Sequence, residues 1–508
     1  MDGAAPDRNR YADLLRVAAM AGVVYGHWLL INVTDTGGQL GGMDALGYVS
    51  WGRWGTLLFQ VMPVFFLVGG YVNARSWTAH AQYARDPAPP QPPTATPQPP
   101  TATPQPPTAT PQPPTATPRS PVAPRIPWAA WTQWVRHRAI RLLRPATVYV
   151  AVAVLAVAAA RLASATPGEV AEAGWLVALQ LWFLPVYLLV IALTPALLAA
   201  HRRWGLAVPA AMALGAAAID AAVLGLHLPV VGYANYLLVW GAMHQLGFGW
   251  HDGTLTRPRW RPYALAATGI LLLTGLLLWG PFPVDMIGDG EPVTNTTPPS
   301  IALLAFAAAQ LGILLAAEPA ASRLLFRPRL WRLVSRLNTR AITVYLWHMV
   351  PVIVIAVTFY PAGILPQPAI ATAEWWPLRV AWFALLTLVL IPIVLILTPA
   401  DRPLPALRLA RSDRPQALVA TNPTPTDDPT ATDDPSSTVR PARIDHSPAA
   451  RAASRIIVLA GCIAAAVGLA RLAIAGFAPD GRLPLLVLAA YAAGLVVVAA
   501  APRLPGMD

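Results

Sequence analysis

Apolar stretches of about 20 residues, the length a helix needs to cross a bilayer, recur along most of this 508-residue chain. They centre on Tyr11 to Val33 and then on residues 56–75, 145–163, 178–199, 206–226, 230–249, 262–281, 300–317, 341–359 and 377–398. A further pair, 455–477 and 483–501, is joined by the turn Ala478-Pro479-Asp480-Gly481. The chain is 56% hydrophobic and 12% charged, with a mean hydropathy of +0.50; soluble domains carry about twice that charge. The predicted fold is all-α: a polytopic membrane helical bundle of ten spans, followed by a tethered two-span hairpin.

Charge placement tests that count, because one missed helix would invert every later loop. The net charge is +12, with arginine as the only strong base. Arg8 and Arg10 precede the first span, and Arg136, Arg138, Arg141 and Arg144 precede the third. Arg202 and Arg203 follow the fourth, Arg257, Arg259 and Arg261 follow the sixth, and six arginines from Arg323 to Arg340 separate the eighth from the ninth. All fall on one side. The opposite loops carry Asp35, Asp44, Glu172, Asp285, Asp289, Glu291 and Glu374. The positive-inside bias then puts both termini and both long linkers on the cytoplasmic side of the membrane. It also accounts for the basic balance without nucleic acid. Met1 to Arg10 is polar and runs into a full-length span, so no cleavable signal peptide is expected.

Two segments stand outside the packed body. Residues 91–118 repeat QPPTATP four times, and proline at that density removes backbone donors and leaves an extended spacer. Residues 401–453, rich in Thr, Pro, Asp and Ser, read as a second tether. The expected organisation is two spans in 1–84, a linker in 85–127, eight spans in 128–400, the tether in 401–453, and an accessory hairpin in 454–508. Cys462 is the single cysteine. It excludes an internal disulfide, and the histidine spacings of His80, His137, His201 and His251 give no metal site.

The first span carries Asp13, Arg16 and His27. Arg16 and His27 lie eleven positions apart, about three turns, so all three project from one stripe roughly 16 Å long. Ionisable groups in hydrocarbon are costly and normally face a bundle interior or a wet cavity, which makes the stripe a functional candidate. Asp13 is too far from His27 to orient it and is expected to pair with Arg16 or with an arginine of another helix.

The chain also reads MPVFFLVGGYVNARSW in the second span, RHRAIRLLRPATVY before the third, LWFLPVYLLVIALTPAL in the fourth and ITVYLWHMVP in the ninth. With the first-span pattern of Arg16, ten residues and His27, and the Arg141–Arg144 pair, these segments resemble the bacterial acyltransferase-3 family, multi-span O-acyltransferases of polysaccharides, glycolipids and antibiotics. The resemblance covers roughly residues 8–400. Where members commonly carry a serine in the second span, this chain has Gly69-Gly70. Paired glycines still permit close approach of a helix or a ligand. No esterase-like domain of the kind found in some members is expected at the C-terminus.

The resemblance implies an acyl-CoA donor, acetyl-CoA in particular, and an acceptor hydroxyl on a carbohydrate or glycolipid, with no bound cofactor and no metal. A hydroxyl attacking a thioester benefits from a base, and an imidazole titrates in the useful range. His27 is the expected base, and Arg16 and Asp13, at the other end of the same stripe, complete the expected catalytic residues, with Arg16 serving the donor. Arg141 and Arg144, one turn apart, suit donor phosphates. His348, Tyr345 and Trp347, with Gly69 and Gly70, are expected at the acceptor pocket. His244, Asn235 and Tyr236 are expected to be structural or gating residues, and Asp220 to balance a buried arginine. The rival reading is a transporter or flippase using the stripe as a proton relay. Internal repeats or paired helix breaks would favour it, and no convincing half-to-half similarity is present.

Overall fold

Each predicted span is mostly helical, the first ending in a strand. The computed structural model describes residues 9–49, 51–84, 128–288, 292–401 and 448–500; the QPPTATP repeat and positions 402–447 of the second tether lie outside them. The helices are α1 (Arg10–Leu30), α2 (Gly52–Phe59), α3 (Met62–Tyr83), α4 (Trp128–Leu162), α5 (Pro167–Leu176), α6 (Phe183–Trp204), α7 (Ala207–Leu226), α8 (Asn235–His251), α9 (Arg261–Trp279), α10 (Ile301–Leu324), α11 (Pro328–Asn338), α12 (Ala341–Trp347), α13 (Val350–Phe359), α14 (Trp375–Asp401), α15 (Pro448–Ala475) and α16 (Leu485–Ala500). Among the described residues, eight are long and apolar enough to cross a membrane, and α12 with α13 makes a ninth span bent by 41°. α16 is apolar but shorter, at 16 residues, and neither the 21-residue α1 nor the 17-residue α8 is among the helices long and apolar enough to cross. α1 carries the ionisable stripe. The molecule is a polytopic helical membrane bundle.

Two spans break, each beside a proline. Pro63 sits in the first turn of α3, where its ring would collide with the Phe59 carbonyl if the helix ran through; α2 ends at Phe59 and Gln60 turns out of helical geometry. Pro351 likewise offers no N–H to the Trp347 carbonyl, and α12 stops there. Both breaks border the cavity described below.

A two-stranded antiparallel hairpin, β1 (Ile31–Thr36) and β2 (Gln39–Asp44), follows α1. It was not expected from the span pattern. Gly37 and Gly38 turn it with positive φ angles of 66° and 85°, a backbone region closed to most side chains. β1 continues directly from a membrane helix and is too short to alter the hydropathy profile.

The loops separate into two ends. Asp35, Asp44, Glu172 and Asp285 gather at one, where Glu172 accepts from the Gly42 backbone N–H and Arg53 pairs with Asp285 at 3.7 Å. At the other end Arg10 donates to the Leu325 carbonyl, Arg202 donates to Thr78, and His201 faces Asp252 at 3.0 Å. α11 lies there as a surface helix with Val334 buried and Arg329, Arg332 and Arg336 exposed, the pattern of an interfacial helix.

Asp220 does not balance an arginine. Its two oxygens accept from the Asn235 side chain and from the backbone N–H of Ile301, both at 2.7 Å. It thereby ties α7 to α8 and satisfies a donor at the start of α10 that would otherwise be orphaned. Asp220→Ala is expected to destabilise the protein by about 1–3 kcal/mol, the cost of leaving buried partners unmatched. Thermal melts of purified protein should show the loss. Activity per folded molecule should stay close to the parent, which a proton-relay role for Asp220 would contradict.

The C-terminal hairpin is separated in sequence but not in space. α15 packs on α4 and α6, and α16 packs on α4. Arg136 of α4 donates to the Val498 and Ala499 carbonyls at 3.1 and 2.7 Å, and the hydroxyls of Thr147 and Tyr491 are 2.8 Å apart. These contacts bring α15 to the wall of the main cavity.

Candidate active site

α1 begins at Asn9, whose side chain accepts from the Ala12 N–H, so the first turn is capped and the stripe held in register. Asp13 and Arg16 lie 3.8 Å apart. Asn338, at the end of α11, joins them: it donates to Asp13 and accepts from Arg16, each at 3.0 Å. Arg16 therefore serves this end of the helix and does not touch His27. Asn338 was missed from sequence, because it lies at the end of an amphipathic helix where a polar residue attracts no notice.

His27 sits three turns along. Its Nδ1 is 2.8 Å from Nε2 of His348, and Nδ1 of His348 is 2.7 Å from the Tyr345 carbonyl. A carbonyl only accepts, so His348 carries its proton on Nδ1 and its Nε2 is the acceptor. His27 must then donate through Nδ1, which leaves its Nε2 with a free lone pair. The protonation state follows from the network. The Trp28 indole donates to the His348 carbonyl at 2.8 Å, locking the two helices at this level. That carbonyl lies in the break before α13.

His27 lines a cavity of about 1170 Å³. Gly22, Gly26, Phe59, Gln60, Pro185, Trp240 and Tyr345 flank it, and the cavity reaches the acidic-loop end at β2, Glu169 and Glu172. Thr166 caps α5 in a box with Glu169, and the Thr166 hydroxyl, donating to Glu169, holds its carboxyl below the usual range. Among the described residues no group of three metal-binding side chains is present.

The remaining predicted pocket residues divide. Tyr345 reaches the cavity wall, with its hydroxyl donating to the Gln180 carbonyl at 2.6 Å. His348 is fully buried behind His27 and is not part of the wall. Trp347 lies about 200° around the helix from Tyr345 and packs edge-on to Tyr149, away from the cavity. Gly69 and Gly70 are also outside the wall. A Cβ on Gly69 would meet the Tyr187 ring, and one on Gly70 would meet the His244 carbonyl and Gly247 of α8. Both glycines mark helix contacts. His244 is buried beside Asn73 at 3.2 Å, Tyr236 lines the cavity, and Asn235 binds Asp220.

At the arginine-rich end, Arg138 lies within electrostatic reach of Arg16, Arg141 and the Tyr187 hydroxyl, with its guanidinium over the Trp134 ring at 5.4 Å. Arg138, Arg141 and Arg144 form two overlapping pairs of the same spacing. Over six residues a helix rotates the side chain by about 120° net, so Arg144 does not share the face of Arg138. None of the three lines the cavity. Gln180 and Gln60 were also missed, although a glutamine in an apolar run is itself a signal. Gln180 donates to Tyr149, Val177 and Leu346, fixing the helix that carries Tyr345. Gln60 donates to the Met286 carbonyl at 2.5 Å.

The bundle and its walled cavity define a multi-pass membrane protein with an internal site large enough for a substrate. The chain belongs to the acyltransferase-3 family, whose model, an acyltransferase domain, matches residues 9–398. It is a membrane acyltransferase. No curated protein and no solved structure matches.

Proposed function

We propose that the protein transfers an acyl group, acetyl in particular, from acyl-CoA to a hydroxyl of a carbohydrate, glycolipid or related acceptor. One observation carries the reading: a hydrogen-bond chain from the Tyr345 carbonyl through His348 orients His27, which lines a large cavity and keeps Nε2 free to act as a base. As the acceptor oxygen bonds to the thioester carbonyl carbon, its proton passes to Nε2. The tetrahedral centre then collapses, the carbon–sulfur bond breaks, and the imidazolium returns the proton to the departing thiolate. The products are an ester and free CoA. The contact from His27 Nδ1 to a neutral acceptor steadies the imidazolium as it forms, the part an orienting group plays in any base of this kind.

Arg16, Arg138 and Arg141 are suited to the donor's phosphates, since planar guanidinium groups bind phosphate oxygens in pairs. Arg144 is a weaker candidate by its rotation. In the positive-inside orientation, the donor comes from the cytoplasm of a bacterial cell, where the termini lie, and the acceptor comes through the acidic-loop end.

Membranes containing the full chain, supplied with radiolabelled acetyl-CoA and a glycoside acceptor, should yield label in an ester released by mild base. Incorporation equal to that of empty membranes would reject the reading. His348→Ala is expected to lower kcat by about a hundredfold with KM little changed, because a misplaced base loses orientation and not binding. His348→Gln, which keeps an acceptor at the end of its side chain, should recover part of that loss.

A further inference from the structure

The family match ends at residue 398, yet α15, which begins at Pro448, forms part of the cavity wall. Ile463, Ala466, Val467, Ala470, Ala473 and Ile474 line it. Their spacing of three and four puts them on one helix face, and from Ile463 to Ile474 the stripe extends about 16 Å. It holds no polar side chain. α13 adds Val352, Ile353, Ala356 and Val357 to the same cavity. The carboxylates of the wall, Asp44, Glu169 and Glu172, are confined to the acidic-loop end.

The α15 wall is also exposed. Ile463, Val467 and Ile474 are 56%, 51% and 69% accessible, and Val357 is 56%. Side chains that line a cavity and are this accessible make it continuous with the apolar outer surface of the bundle, where a membrane helix meets lipid. A wholly hydrophilic acceptor would bury none of the stripe and would gain nothing from its apolar area. An alkyl or isoprenoid chain would cover it, and such a molecule already resides in the bilayer.

We infer that α15 makes the cavity selective for a hydroxyl acceptor bearing an apolar chain, a lipid-linked sugar or alkyl glycoside, with the head at His27 and the chain along Ile463 to Ile474. This rests on the acyl-transfer reading of the same cavity. The hairpin is then a specificity element added to the family domain.

Cys462 is the sole cysteine, so Ala470→Cys in a Cys462→Ala background places one trifluoromethyl tag in the stripe. Val496→Cys places one on exposed α16, outside the cavity. In lipid nanodiscs, sub-micellar decyl glucoside should give a saturable fluorine shift at position 470 and none at 496, and methyl glucoside should give neither. No shift at 470, or equal shifts at both positions, would overturn the inference. A saturable shift with decanoyl-CoA but not with decyl glucoside would assign the wall to the donor chain and also overturn it. These readings need no catalysis, so they stand apart from failure of the acyl-transfer reading. In the transfer assay, Ala466→Trp should lower the ratio of decyl to methyl glucoside acylation by about tenfold, since chain contacts are lost to only one of them. An unchanged ratio would count against the inference.

Discussion

Alanine in place of His27 is expected to lower acyl transfer by about a hundredfold to ten-thousandfold, the range over which a positioned general base contributes. The protein should remain inserted and folded, because His27 is only half-buried and makes one side-chain hydrogen bond, to His348. The α1 contacts that hold the helix lie elsewhere, in the Asn9 cap, the Trp28 bond to the His348 carbonyl, and the Asp13–Asn338–Arg16 cluster. The checking measurement is label transfer per mole of protein extracted from membranes, with size-exclusion profiles and thermal melts run on the same preparations. Parental activity in His27→Ala would eliminate the proposed base. His27→Gln is a useful companion: it can still donate to His348 but cannot take up a proton at neutral pH, so it should be nearly as inactive as the alanine variant.

The second large effect is on folding. Gly70→Ala is expected to destabilise the protein by about 3 kcal/mol or more, because the added methyl meets main chain that cannot turn aside. The His244 carbonyl and the Gly247 Cα stand where the new Cβ would be, and Gly247 in turn stands against the Leu67 carbonyl. α3 and α8 would have to separate along a contact that also holds Asn73 against His244. Close approach through small residues is the usual basis of helix association in lipid, where burial of apolar surface drives nothing. Low yield of monodisperse protein and a lowered melting temperature should report it. By contrast, Gly69→Ala meets the ring of Tyr187, and a side chain can rotate away at smaller cost.

Those glycines illustrate how far sequence reasoning reached. Gly69-Gly70 signalled a close approach, and spacing alone left open whether a helix or a ligand came near. The choice depends on which helix neighbours α3, which no local pattern contains. The same limit explains the histidines. His348 was expected beside the acceptor from its family-like position and aromatic neighbours, whereas at the end of α12 it lies behind His27. The pairing of two imidazoles 321 positions apart in the chain leaves no periodic trace. Arg141 and Arg144 were chosen from the family's pair of arginines two residues apart, and Arg138 makes the same spacing with Arg141. Only the rotation of α4 about its axis separates them.

Hydropathy by itself determined that this chain is a helical membrane bundle, where most of its apolar helices fall, and that α1 carries an ionisable stripe. These follow from a cost paid locally, residue by residue, whenever a polar group or a charge enters hydrocarbon. Tertiary structure alone decided that His348 supports His27, that Asp220 holds the start of α10, and that α15 comes back across its tether to wall the cavity. Each depends on contacts between segments remote in sequence, whose energies are set by helix rotation and by proline breaks. In lipid every apolar face is an equally good solvent-facing face, so the pattern of a single helix does not disclose its neighbour.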